Sequence, residues 1–219
     1  MTYFLIALGL LLLAYLVVRL VKRSKFKSLH PFMPAEYNFG KRRDTFQKSL
    51  DLLMERHAKV LVETGTARGG LVRTKSDGAS TVVFGKWAKE NGAEFHSVDI
   101  DAAAIAEAQQ SVDAEKLTQS VSLHVSDSIE FLAQFPKKID FLYLDSYDYS
   151  KHDLTIQQLS QEHHLKEFKA VEDKLHDQSF VLIDDCKLPN GGKGKLVIDY
   201  MLQNGWKIIM DHYQVLLTK

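Results

Sequence analysis

Acidic residues close four apolar stretches of this 219-residue chain, and their placement is its most chemically suggestive feature. Glu63 follows Val60-Leu-Val, Asp99 stands in Ser-Val-Asp-Ile-Asp, Asp145 follows Phe141-Leu-Tyr-Leu, and Asp184-Asp185 follows Phe180-Val-Leu-Ile. One such aspartate is readily explained as a helix cap, but the set of four is not. Carboxylates at these positions can accept hydrogen bonds from hydroxyls or an amine. Val60 to Gly70 adds the second ingredient. A short apolar run ends in an acid and then breaks into Gly65, Thr66, Gly69 and Gly70, as a buried parallel strand does when it empties into a ligand-binding loop.

Positioning these residues requires alternating strands and helices. Phe46, Leu50, Leu53, Met54 and His57 recur at helical spacing, predicting a helix over about 45–57 that packs on a sheet edge. Strands are expected at 60–63, 94–100, 121–125, 139–144 and 180–183. Helices are expected at 80–91, capped by Ser80 or Thr81 and stopped by Gly92, then at 101–110, through Phe131 and Leu132, at 154–175 and at 195–203. Trp206 to Met210 and Tyr213 to Leu217 have only Asp211 and His212 between them. Two residues cannot hold a crossover, so this pair must be an antiparallel hairpin. The reading is an α/β sheet with one reversed strand, its ligands at the carboxyl ends of the strands.

Ahead of this domain, Thr2 to Val18 carries no charge, and Leu20 and Val21 extend the apolar stretch past Arg19 to bilayer-spanning length. A cleaved signal peptide carries its basic residues before the apolar run. Here Arg19, Lys22, Arg23, Lys25 and Lys27 follow it, which predicts a single-pass transmembrane anchor over 1–22 with the C-terminal domain in the cytoplasm. A basic connector, 23–44, containing Pro31, Pro34 and Gly40, then leads to a domain over 45–219. The membrane-side cluster, with Lys41, Arg42 and Arg43, is read as meeting anionic headgroups or as a solvated stop signal. Basic and acidic side chains balance at 28 each, so no charge footprint points to nucleic acid, and a lone Cys186 excludes an internal disulfide framework.

Val-Glu-Thr-Gly-Thr-Ala-Arg-Gly, Ser-Val-Asp-Ile-Asp, Ser-Asp-Ser, Leu-Tyr-Leu-Asp-Ser-Tyr and Leu-Ile-Asp-Asp, in that order, resemble the motifs of Rossmann-like, class I S-adenosylmethionine-dependent methyltransferases. The resemblance covers about 60–219 and implies a seven-stranded, mostly parallel sheet ending in an antiparallel hairpin. It implies that Glu63, Gly65, Thr66 and Gly69 hold the methionine part of the cofactor. Asp99 with Ile100 would hold ribose, Asp127 with Ser128 would contact adenine, and Asp145 would face the reacting groups. The stretch from Gly70 to Ser80 departs from the pattern, because a second candidate turn, Asp77-Gly78-Ala79-Ser80, leaves two places for the cofactor to touch. A further resemblance, to cation-dependent O-methyltransferases, implies a divalent ion such as magnesium at Asp145, Asp184 and Asp185, although Asp184-Asp185 stands where that group has Asp-Asn.

For a general base, the polar segment after the fourth strand offers Lys151 and His152, and His163 follows. Lys193-Gly194-Lys195, after Asn190-Gly191-Gly192, is read either as a loop closing over a substrate or anion or as a flexible basic edge. Two rivals stand beside the methyltransferase. Thr64-Gly65-Thr-Ala-Arg-Gly69 and the Tyr147 to Lys151 spacing partly resemble NAD(P)-dependent short-chain oxidoreductases, but Leu71 takes the place of the last glycine. A non-catalytic, membrane-tethered binding protein on the same fold is the other. A small-molecule, lipid or glycan acceptor all suit the anchored enzyme, and the sequence leaves the oligomeric state open.

Overall fold

The computed structural model describes residues 9, 11–17, 31–34 and 37–219. Residues 11–17 are helical and exposed, and among the described residues no helix is long and apolar enough to cross a membrane. The expected anchor over 1–22 lies mostly outside the described residues.

Among the described residues a seven-stranded sheet forms the centre. Its strands are β1 (Val60–Thr64), β2 (Glu94–Asp99), β3 (Val121–Val125), β4 (Ile139–Leu144), β5 (Leu175–Ile183), β6 (Lys207–Asp211) and β7 (Val215–Thr218), in the order β3-β2-β1-β4-β5-β7-β6. All pairings from β3 to β5 are parallel, and β7 runs antiparallel to both β5 and β6, so it is the reversed strand. The hairpin expected from spacing is present, its turn being His212 to Gln214.

Side-chain alternation along the strands feeds two cores. Leu61, Phe95, Phe141, Tyr143, Phe180, Leu182 and Leu216 face one layer, with Phe46, Leu50 and Leu53 of α1 (Arg43–Glu55) and Phe84 and Trp87 of α2 (Ser80–Asn91). Val112 of α3 (Ala102–Ala114) joins the same core. Val62, Leu142, Leu144, Val181, Ile183 and Leu217 face the other, with Leu132 of α4 (Ser128–Gln134), Phe168 of α5 (Leu154–Val171) and Val197 and Met201 of α6 (Lys195–Gln203). Helix α1 therefore lies across the sheet face rather than its edge: Phe46 packs edge-on against Phe84 at 5.2 Å and against Tyr143 at 5.9 Å. Met33 and Phe39, from the expected connector, are also buried in this core.

Two local differences from the sequence reading have plain causes. Helix α5 ends at Val171 and a 3-10 turn, Glu172–Lys174, follows, so β5 starts at Leu175. The polar run His176-Asp-Gln-Ser179 disguises that start, where the pairing with β4 shifts register between Ile139 and Phe141. Helix α2 has Ala79 at its N-cap in the left-handed region, with no side-chain cap, because Ser80 and Thr81 turn their hydroxyls elsewhere.

Candidate functional site

The chain winds outward from β1 through β2 to β3, then returns to β4 on the other side of β1, and the gap between β1 and β4 is the switch point of the sheet. Register brings Thr64, Leu144 and Ile183 side by side, so the residues after β1, β4 and β5 converge. Gly65 sits there at φ +80°, and a Cβ on it would lie 2.4 Å from the Asp145 carbonyl oxygen, a contact that only glycine permits.

A cleft of about 810 Å³ opens over this point, a size suited to a small molecule. Gly65 to Arg68 form its base, with Asp99 and Ile100 beyond β2, Asp127 and Ser128 beyond β3, Asp145 to Asp148 beyond β4, and Asp185 and Lys193 beyond β5. The second turn contributes Asp77, with Ser76 just before it, so both candidate turns border the same cleft. Side chains from three neighbouring segments pin the backbone of the first turn. Thr66 N–H donates to Asp99 Oδ2 at 3.0 Å, Ala67 N–H to Thr81 Oγ1 at 3.0 Å and Arg68 N–H to Asp77 Oδ2 at 3.0 Å. Asp99 also accepts from Asp101 N–H, and Asp127 caps α4 by accepting from the Ile129 and Glu130 amides.

Glu63 and Gly69 do not line the cleft. Glu63 is fully buried beneath the loop, where its carboxyl group accepts from Ser80, from Thr81 at 2.7 Å and from Ser97 at 2.6 Å. Burial lifts its pKa to about 7, against the pull of those hydroxyls. Its part is to tie α2 and β2 under the glycine turn, and this is where the Ser80 and Thr81 hydroxyls go instead of capping α2. Lys151 and His152 are exposed and outside the lining, in the loop ahead of α5, whose N-cap is Asp153. The Tyr147 to Lys151 pair likewise lies in this loop and not on a helix, contrary to the oxidoreductase pattern. His163 does reach the cleft: its Nε2 lies 3.1 Å from Ser128 Oγ and 3.3 Å from Glu167 Oε1, and Glu167 also accepts from Ser146 Oγ at 2.7 Å. Burial would raise the Glu167 pKa, but the His163 hydrogen bond and the two neighbouring histidines bring it down to about 2.

The carboxylates expected at a metal are engaged otherwise. Arg42, read from sequence as part of a membrane-facing basic cluster, is buried, and its Nε and Nη2 both lie 2.7 Å from Asp184 Oδ2. Asp184 Oδ1 accepts from the Asp185 amide, and Tyr143 OH lies 3.1 Å from both Asp184 Oδ2 and Asp145 Oδ2. Lys193, read either on a loop closing over a substrate or anion or on a flexible basic edge, is buried, with Nζ 2.8 Å from Asp145 Oδ1 and 3.6 Å from Asp185 Oδ2. Gly192 makes that possible: at φ +57° it passes so close to Asp185 that an added Cβ would lie 1.8 Å from the carbonyl oxygen. Burial, then repulsion from Asp184, pushes the Asp145 carboxyl well above the usual carboxylate range, whereas Arg42 and then Lys193 overcome burial to hold Asp184 below it. Among the described residues no group of three or more His, Cys, Asp or Glu side chains is arranged to hold a metal ion. Two side-chain cations already pair with these three acids, an arrangement that does not suit the divalent ion that the resemblance implied.

Sequence reasoning missed the roles of Arg42 and Glu167, and of its two readings of the Lys193 loop the one beside the ligand cleft is nearer to the structure. No local signal marks Arg42, whose partner is 142 residues away.

A family model described as a methyltransferase domain matches residues 75–186, more than half of the chain, spanning Asp99, Asp127, Asp145 and Asp184. No curated protein matches the sequence. Among solved structures the chain is similar to a proposed O-methyltransferase from Klebsiella pneumoniae, with a TM-score of 0.61 at 14% identity over 90% of this chain and 94% of that one. It is also similar to the S-adenosylhomocysteine-bound Podospora anserina methyltransferase PaMTH1, with a TM-score of 0.59 at 12% identity over 91% and 86%. A third is the O-methyltransferase TomG from Streptomyces achromogenes, in complex with S-adenosylmethionine, with a TM-score of 0.56 at 12% identity over 80% and 78%. These likenesses establish the fold, and with the family match and the cleft at the switch point they show that the chain belongs to the class I, S-adenosylmethionine-dependent methyltransferases.

Proposed function

We propose that this methyltransferase transfers its methyl group to a hydroxyl oxygen, and that an N-terminal anchor tethers it to a membrane with the catalytic domain on the cytoplasmic side. The observation that carries the oxygen reading is the juxtaposition, in one cleft, of the Gly65–Arg68 loop and Asp99 with the Asp145 carboxylate. The names of similar structures, several of which are O-methyltransferases, support the same reading. Residues 19–27 and the uncharged run before them support the anchor. A lipid, a membrane-associated glycan intermediate or a small hydroxylated compound is the acceptor class.

The residues present fit the cofactor. Gly65 lets the loop after β1 lie directly against the Asp145 backbone at the base of the cleft, Asp99 presents a half-exposed carboxylate to paired hydroxyls, and Asp127, Ile100 and Ser128 border the space a base would occupy. When bound, S-adenosylmethionine supplies an electrophilic methyl carbon on a sulfonium sulfur. The protein's work is then to hold an acceptor oxygen in line at near-attack distance and to exclude water. Asp145, hydrogen-bonded to Lys193 at the wall of the cleft, is the group we assign to orienting that oxygen.

Calorimetric titration of the full chain with S-adenosylhomocysteine tests the cofactor site. Micromolar binding is expected, and Asp99→Ala should weaken it at least about tenfold, the loss of roughly one charge-assisted hydrogen bond. Unchanged affinity in that variant would remove Asp99 from the site. Mass spectrometry of membrane extracts incubated with labelled S-adenosylmethionine then locates the methyl group, and a product methylated on nitrogen or carbon would overturn the oxygen assignment.

A further inference from the structure

We propose that Arg42 and Lys193 stand in the place of a divalent cation, holding Asp145, Asp184 and Asp185 in the arrangement a metal would otherwise organise, so that this enzyme binds no divalent ion at its active site. The inference rests on the methyltransferase reading and specifies how its acceptor side is built.

Charge is the first argument. Three carboxylates meet two side-chain cations, and a guanidinium with an ammonium carries the same positive charge as one divalent ion. The cations are distributed as a bridging ion would be. Arg42 lies 2.7 Å from Asp184 and 3.8 Å from Asp185, while Lys193 lies 2.8 Å from Asp145 and 3.6 Å from Asp185, so the outer carboxylates have one cation each and the middle one is shared.

Saturation is the second argument. A hard cation needs carboxylate lone pairs free to face it, together with room for water. Asp184 is fully buried and has one oxygen occupied by Arg42 and the other by the Asp185 amide. Asp185 accepts from Tyr213 OH, Asp145 accepts from Lys193, and the single Tyr143 hydroxyl proton serves either Asp184 or Asp145. A metal would have to break several charge-assisted bonds and strand two buried cations.

Construction is the third. Arg42 comes from the turn before α1 and is held by a further bond from Nη1 to the Ser76 carbonyl at 3.2 Å. It therefore fastens the N-terminal segment, the second turn and the end of β5 to one another. Lys193 is delivered from the opposite side by the Gly191-Gly192 loop, whose close passage over Asp185 admits no side chain at Gly192. Both are positioning residues, acting through the carboxylates at the cleft.

The test is a manganese titration of the full chain in detergent with S-adenosylhomocysteine present, reading free Mn2+ by electron paramagnetic resonance. The wild type should show no site tighter than about 1 mM, the weak end of carboxylate-based cation sites. Lys193→Ala, which uncovers Asp145 and Asp185, should gain one Mn2+ site at least about tenfold tighter than any in the wild type. That site should vanish in Lys193→Ala with Asp145→Asn. Should the alanine variant fail to fold, Lys193→Gln, closer in shape and equally uncharged, replaces it. A stoichiometric wild-type Mn2+ site lost in Asp145→Asn would overturn the proposal, and so would a folded, S-adenosylhomocysteine-binding Lys193 variant that gains no Mn2+ affinity. Failure of the wild type to bind S-adenosylhomocysteine would instead strike the methyltransferase reading itself.

Discussion

Replacing Arg42 with methionine should destabilise the fold far more than its place in a basic surface-like run would suggest. An exposed arginine paired with aspartate contributes about 0–1 kcal/mol, because water already solvates both charges. Arg42 is only 10% exposed and its partner Asp184 is 0% exposed, so removing the guanidinium leaves a buried carboxylate without its cation. The cost of that arrangement is about 3–5 kcal/mol, which for a chain of this size lowers the melting temperature by roughly 10 °C. The contact of the guanidinium with the Tyr213 ring, 5.3 Å from its centroid, adds at most about 1 kcal/mol. The loss must also depend on pH. In the wild type the Asp184 pKa is depressed, so its contribution is present above the unfolded value of 3.8 and disappears as pH falls through the folded one. Without Arg42, burial is opposed chiefly by the more distant Lys193, so the Asp184 pKa rises and the variant is penalised increasingly as pH climbs from about 4. Urea unfolding followed by fluorescence of Trp87 and Trp206, both buried, should therefore show a gap near pH 7.5 that narrows by pH 4.5. Arg42→Met with Asp184→Asn should recover part of the loss, since no charge is then stranded. A gap under about 1 kcal/mol, or one equal at both pH values, would refute the reasoning.

Two further outcomes follow from buried or crowded positions. Glu63 has its pKa raised from 4.5 to about 7, so the stability it contributes is full below pH 4.5 and is lost as pH rises through 7, to the extent of about 3 kcal/mol. Glu63→Gln stays neutral throughout and should flatten that decline in urea midpoints between pH 5 and 8; identical slopes in the two proteins would contradict it. Gly192→Ala and Gly205→Ala separate crowding from backbone conformation: both glycines have positive φ, but an added Cβ meets the Asp185 carbonyl at 1.8 Å in the first and nothing within 4 Å in the second. Gly205→Ala should cost about 1–2 kcal/mol and Gly192→Ala at least about 2 kcal/mol more, and equal melting temperatures would remove the close contact from the account.

What the sequence discloses about this molecule is what neighbouring residues decide together. The strand that becomes β1 is legible because an apolar run, an acid and Gly65 are consecutive, and the hairpin of β6 and β7 is legible because so short a connection permits no other topology. The α2 stop at Gly92 is likewise local, and its left-handed conformation carries that assignment out. The acceptor side of the site is set by distance instead. Asp184 and Asp185 look the same in sequence whether a metal or an arginine faces them, and the arginine that does so is 142 residues away, in a stretch whose neighbours Lys41 and Arg43 mark it as surface. Lys193 follows glycines that read as a closing loop or a flexible edge but in the fold allow close approach to Asp185. Glu63 errs in the opposite direction: its position at the end of β1 suggests a ligand contact, yet Ser80, Thr81 and Ser97 have drawn it under the loop. An acid at a strand end is thus a statement about the backbone that presents it, and only the cations and hydroxyls brought there by the rest of the chain decide whether it meets a ligand, a metal or the protein itself.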